Sequence, residues 1–146
     1  MELTQEEADR LIKLEKFYKG KERFDFPCDG DSLRIPLFSS DDREQFSFDI
    51  TRSRIILKKD KYQIRARRSI VLVRLETTGP PHTNPDGEEL ECPHIHLYRE
   101  GYGTKWAFPL PPGVFTNTKN NSRILDDFMN YCNIITKSMI NKDLFI

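Results

Sequence analysis

All three histidines of the chain, His82, His94 and His96, fall between Gly79 and Gly101 in the stretch GPPHTNPDGEELECPHIHLYREG, together with Cys92, one of three cysteines. Two imidazoles with pKa values of about 6.5 can act as general base and general acid in one pH window. Cleavage of RNA through its own 2′-hydroxyl requires that pairing: one histidine takes the hydroxyl proton while another protonates the leaving oxygen. The same residues permit a second chemistry. Histidines at i and i+2 on a strand lie roughly 6 to 7 Å apart along the backbone and can converge on one ion at about 2.0 to 2.1 Å per nitrogen. His82, Cys92 or Glu100 could complete such a set. No second cysteine or histidine pair accompanies them, so a transition metal at His94 and His96 is not the favoured expectation, and no cofactor is expected. The plainest alternative places the histidines on the wet side of a half-buried strand, with Cys92 simply packed.

These residues need elements to position them. Asn84-Pro85-Asp86-Gly87 is a strong turn signal, and extended structure is expected from Pro93 to Arg99, because the residue before a proline avoids the helical region. The stretch therefore reads as a hairpin with a long tip. On its returning strand a period of two puts Cys92, His94, His96, Tyr98 and Glu100 on one face and Ile95 and Leu97 on the other.

A basic ribbon precedes the hairpin. Residues 1–49 carry 8 basic and 13 acidic side chains, residues 50–75 carry 9 and 1, and residues 76–146 carry 6 and 9. Within the ribbon Lys61, Gln63, Arg65 and Arg67 share one parity, with Arg68 following, while Tyr62, Ile64 and Ala66 share the other. On a neighbouring strand such cations would stabilise phosphate charge, and Tyr98 or Trp106 could stack on a base. Alternating arginines also serve simply to keep an exposed strand solvated and unpaired.

The remaining pattern describes a scaffold. Thr4 and Glu7 match a capping box, and Ala8, Leu11, Ile12, Leu14 and Tyr18 predict a helix from Gln5 to Tyr18. Gly20 stops it, and a loop whose aromatics tuck against the core follows. Pro36 favours an edge strand or bulge over Ser32 to Phe38. Gln45 to Ile50 alternates cleanly, and Arg54–Lys58, Tyr62–Arg67 and Ser69–Thr77 follow at spacings that suit an antiparallel meander. Lys105 to Leu110 could supply a last strand. Asn120-Asn121-Ser122 offers an N-cap for a closing helix bearing Ile124, Leu125, Phe128, Met129 and Cys132. The expected architecture is one α+β domain over residues 1–146, with a curved antiparallel sheet of five to seven strands packed with an N-terminal and a C-terminal helix.

Lysine plus arginine equals aspartate plus glutamate at 23 each, so bulk charge does not argue for wholesale nucleic-acid or membrane binding. Three widely spaced cysteines make no disulfide framework, no charged-then-apolar leader precedes the first helix, and the longest aliphatic run is Ile70 to Val73. A soluble, cytoplasmic protein is expected.

The segments GPPHTNPDG and ECPHIHLYREGYGTKWAFPLP, with the DITRSRI segment and the Tyr62 to Arg68 ribbon, resemble a family of uncharacterised small proteins from bacteria and their mobile elements. The organisation is also similar to small toxins of the RelE and TumE kinds, which implies basic and histidine side chains acting on RNA and a cognate antitoxin as partner. The leading expectation is an RNA-targeting protein of that type, with His82, His94, His96 and Glu100 in acid–base roles and Lys61, Arg65, Arg67, Arg68, Tyr98 and Trp106 as nucleic-acid contacts. One rival is a phage-encoded, non-enzymatic inhibitor whose basic ribbon engages a host nucleic-acid-binding defence complex. Another is a metal-dependent hydrolase using His94 and His96.

Overall fold

The computed structural model describes residues 2–53 and 60–142. The Thr4 hydroxyl accepts the Glu7 amide at 3.2 Å and starts helix α1, Gln5–Lys13, which buries Ala8 and Leu11. The predicted end at Tyr18 is too late. Leu14 turns extended, and Lys16 and Phe17 form single bridges to Ile134 and Phe38. The apolar residues beyond Leu14 still face the core, so the hydrophobic period outlasts the helix that it suggests. Lys16 is fully buried, and its ammonium donates to the carbonyls of Ile12, Leu14 and Cys132 at 2.8, 2.8 and 2.7 Å. It thereby satisfies orphan carbonyls at the ends of both helices.

The sheet follows as a meander. Strands β2 (Ser32–Phe38), β3 (Gln45–Thr51), β4 (Lys61–Ala66), β5 (Ile70–Glu76), β8 (His94–Leu97) and β9 (Ala107–Pro109) pair antiparallel in that order. Between β5 and β8 the chain makes a small hairpin, β6 (His82–Thr83) with β7 (Glu89–Leu90). Strands β1 (Phe24–Asp25) and β10 (Ile140–Asn141) pair in parallel, so the predicted aromatic loop contains a short strand with Phe26 buried beside it. Pro36 sits on the edge strand β2, where its missing N–H costs no ladder bond. The predicted strand from Arg54 to Lys58 lies outside the described residues. Helix α2, Asn121–Tyr131, starts on the Asn120 side chain, which accepts the Arg123 amide at 3.1 Å.

This is the expected α+β fold with a curved antiparallel sheet, and its two faces differ sharply. Leu33, Ile35 and Leu37 of β2 pair with Ile50, Phe48 and Phe46 of β3, and Tyr62 and Ile64 continue the same face on β4. The helices pack there. Phe128 of α2 stacks on Phe48 at 5.8 Å between ring centres and meets Tyr62 at 5.9 Å. Each such buried ring contributes roughly 1.5 to 3 kcal/mol relative to exposure. No helix among the described residues is long and apolar enough to cross a membrane.

Candidate functional site on the polar face of the sheet

Directly opposed residues of an antiparallel pair share a face, so the register traces the sheet's other side as rows running across the strands. One row reads Arg34, Asp49, Gln63, Arg74, His96. A second reads Ser32, Thr51, Lys61, Glu76, His94. Ser47 and Arg65 belong to a third. The basic ribbon and the histidine strand therefore share the face opposite the helices.

At the β8 end the histidines are not wet. His94 and His96 are each 1% exposed, which overturns the reading that places them on a solvated strand face. The cover is the β6–β7 hairpin, which folds back over the sheet. Asn84, read from sequence as a turn former, docks it: its Oδ1 accepts the Ala107 N–H at 2.8 Å and its Nδ2 donates to the Ala107 carbonyl at 2.9 Å. A side-chain amide thus pairs with the outer strand β9 as a further strand would. His82 arrives on this hairpin, its ring centre 4.6 Å from that of His96 and 5.9 Å from that of His94.

Each imidazole is held by a main-chain carbonyl. Nδ1 of His94 lies 3.2 Å from the Glu91 carbonyl, Nδ1 of His96 lies 2.8 Å from that of Thr104, and Nε2 of His82 lies 2.8 Å from that of Lys105. A carbonyl only accepts, so these nitrogens carry the protons. Across from them stands Glu76, a residue that sequence reasoning missed. Its Oε1 is 3.2 Å from Nε2 of His96, and its Oε2 is 4.0 Å from Nε2 of His94. Among the described residues neither Nε2 finds a partner in good hydrogen-bond geometry, the His96–Glu76 approach being an ion-pair contact. The close His96 imidazole pulls the Glu76 carboxyl down to about 2, outweighing burial, with help from the Arg74 guanidinium 3.6 Å away. Burial pushes the His94 imidazole below its ordinary value.

Other predicted site residues stand elsewhere. Strand β8 ends at Leu97, so the period of two does not carry on to Tyr98 and Glu100. The Tyr98 hydroxyl donates to the Leu3 carbonyl at 2.7 Å and accepts the Leu3 amide at 2.8 Å, burying the ring on the helix side. Glu100 accepts the Gln5 amide at 2.8 Å at the start of α1. Both side chains therefore tie down the N-terminal segment and stand apart from the histidine cluster. Trp106 lies under the Arg99 guanidinium, 4.9 Å from its ring centre, with Tyr102 against its edge, and neither the groove nor the histidine cluster includes it.

At the opposite end of the same face the arginines surround a groove of about 700 Å³, lined by Arg34, Arg43, Arg65, Arg67 and Arg68 with Glu44, Ser47 and Gln45. Arg65 is fixed in it. Its Nε and Nη2 meet the two Asp49 oxygens at 2.5 and 3.2 Å, and Asp49 also takes Ser47 and Gln63. Arg67 is not on the strand face as its parity suggested: it and Arg68 turn the chain with φ of 49° and 73°, and Arg67 pairs with Glu7 and Glu44. Lys61 stands across from Glu76 in the register, away from this groove.

No curated protein and no solved structure matches the chain. A family model matches residues 3–134, nearly all of both faces just described, and the chain belongs to that family, DUF6978, a family of unknown function.

Proposed function

We propose that the protein binds RNA, or a chemically similar single-stranded polyanion, along the polar face of the sheet, entering through the arginine groove. The observation that carries this reading is the convergence of five arginine side chains on one groove of a sheet face that the helices leave uncovered. Arg65 and Arg67 are held by carboxylates and offer position more than charge. Arg34 and Arg68 pair with no carboxylate among the described residues, and Arg43, 84% exposed, makes only a long 4.0 Å ion pair with Asp41, so these three supply the more available cations. Binding is favoured over cleavage by the histidines, because a general acid or base must come within hydrogen-bond reach of the group it serves. His94 and His96, at 1% exposure, do not offer that reach.

The test is fluorescence anisotropy with a labelled single-stranded RNA at several salt concentrations. With three phosphates neutralised, the affinity should fall with a log–log slope of about −2, or roughly 20-fold between 50 and 200 mM salt. Arg34→Glu with Arg68→Glu should weaken binding and flatten that slope. An RNA affinity unchanged by the two reversals, or no binding at low salt, would sink the reading. In the latter case, binding of an acidic protein would support the inhibitor alternative.

A further inference from the structure

The histidine end of the face carries its own chemistry, independent of RNA binding. With Nδ1 of His94 and His96 donating to the carbonyls of Glu91 and Thr104, each ring in its neutral form turns a lone pair at Nε2 toward Glu76. Backbone carbonyls that fix a histidine's tautomer are the usual outer support of a metal ligand. The donor atoms of Glu76, His94 and His96 all lie within 4.8 Å of one another. Lone pairs facing a carboxylate in a buried site repel unless a cation or a proton lies between them. A proton on His96 would explain the 3.2 Å approach to Oε1, and would leave Nε2 of His94 buried without a partner.

We propose that Glu76, His94 and His96 are ligands of a divalent transition-metal ion of the zinc class, and that His82 supplies the fourth through Nδ1. Two imidazoles and one carboxylate suit zinc, cobalt or iron far better than calcium or magnesium. Arms of about 2.0 to 2.2 Å in a tetrahedral site set ligand atoms about 3.3 Å apart. The 3.2 Å separation between His96 and Glu76 already fits, and the 4.0 Å one closes with a small turn of the carboxylate. His82 has its Nε2–H committed to Lys105, so the nitrogen left to it is Nδ1; it stands outside the 4.8 Å group of the other three donors, and its ring, centred 4.6 Å from that of His96, must turn inward to complete the site. Cys92 is not a ligand. Its sulfur sits 3.6 Å from Nδ1 of His94, the nitrogen that faces away from the cluster. Four protein ligands close the coordination sphere, as in structural zinc sites, and the ion ties the β6–β7 hairpin to strands β5 and β8. Arg74, 3.6 Å from Glu76, repels the incoming ion and moderates its affinity.

The experiment uses untagged, chelator-treated protein titrated with Zn²⁺ by calorimetry and with Co²⁺ by visible absorption. One ion per chain should bind, with the d–d spectrum of a tetrahedral Co²⁺ site and no sulfur charge-transfer band. Glu76→Gln and His96→Gln should each weaken Zn²⁺ by at least the roughly 10–100-fold that loss of an outer-shell partner costs. His82→Ala should weaken it while shifting the Co²⁺ spectrum toward a water-completed site, and Arg74→Gln should tighten it. Circular dichroism reports whether each variant is folded. Wild-type protein that stays folded and takes up neither ion at micromolar concentration would overturn the proposal and leave the cluster an ion pair. Binding that survives Glu76→Gln and His96→Gln undiminished, or that shows sulfur ligation, would also overturn it. Arg34→Glu with Arg68→Glu should leave metal uptake intact, so loss of RNA binding and loss of metal binding are read separately.

Discussion

Truncating Asn84 to alanine isolates the contact that holds the hairpin over the histidines. The Asn84 side chain satisfies both main-chain groups of Ala107, at 2.8 and 2.9 Å, with Asn84 5% and Ala107 1% exposed. Removing the amide leaves a buried N–H and a buried C=O unpaired, at about 1 to 3 kcal/mol each. A total near 3 kcal/mol allows for partial relaxation and water entry. Unfolding entropy of about 2.1 cal/mol/K per residue comes to about 0.3 kcal/mol/K for a chain of 146 residues, so the melting temperature should fall by about 10 °C. Asn84→Asp keeps an acceptor for the Ala107 N–H but sets a carboxylate oxygen against the Ala107 carbonyl, so at neutral pH it should cost at least as much. Thermal melts by circular dichroism give the size of the effect. Hydrogen exchange gives its place, with protection lost first around Thr83, Leu90 and Ala107 and retained in β3 and β4. A variant melting within about 2 °C of wild type, or exchange accelerated evenly across the sheet, would refute the idea that this amide is the dock.

Two further outcomes follow from single side chains. Burial alone would raise the Asp49 pKa, but Arg65, Gln63 and Ser47 together hold it below the ordinary 3.8. Its stabilising contribution is therefore complete above pH 4 and is lost as pH falls through the depressed value, so urea titrations at descending pH should show a shallower acid loss in Asp49→Asn than in wild type. Tyr98→Phe deletes a buried hydroxyl with two partners on Leu3 and should cost about 1 to 3 kcal/mol while leaving RNA affinity unchanged. A fall in RNA affinity at constant stability would return Tyr98 to the binding surface.

Alternation made the sheet legible. Phe46, Phe48 and Ile50 point inward where the period puts them, and Pro36 marks an edge. What alternation cannot convey is where a strand stops and what lies over it. Extended three residues past Leu97, the period puts Tyr98 and Glu100 beside the histidines, whereas the chain turns there to meet Gly103. Extended past Ala66 as well, it puts Arg67 on a face that the chain leaves. The histidines are legible as a cluster and illegible as buried, since the hairpin covering them is docked by Asn84, whose sequence context reads only as a turn. Glu76 went unnoticed because the long excursion between β5 and β8 hides the register. The one available signal was its parity with Arg74 at the end of the strand preceding the hairpin.

The pairing of the chain's first segments with its last has a kinetic consequence. Lys16 bridges Ile134 and donates to Cys132, and Phe24 pairs with Ile140 in a parallel register. Contacts that span more than a hundred residues require closure of nearly the whole chain before they repay its entropy, and such contacts slow folding. The meander from β2 to β5 can zip locally, hairpin by hairpin, before either of these pairings forms. During synthesis Lys16 and Phe24 stay without these particular partners until residues 132–141 have emerged. Sealing that cation between two helix ends is thus a long-range step, one that local structure cannot begin.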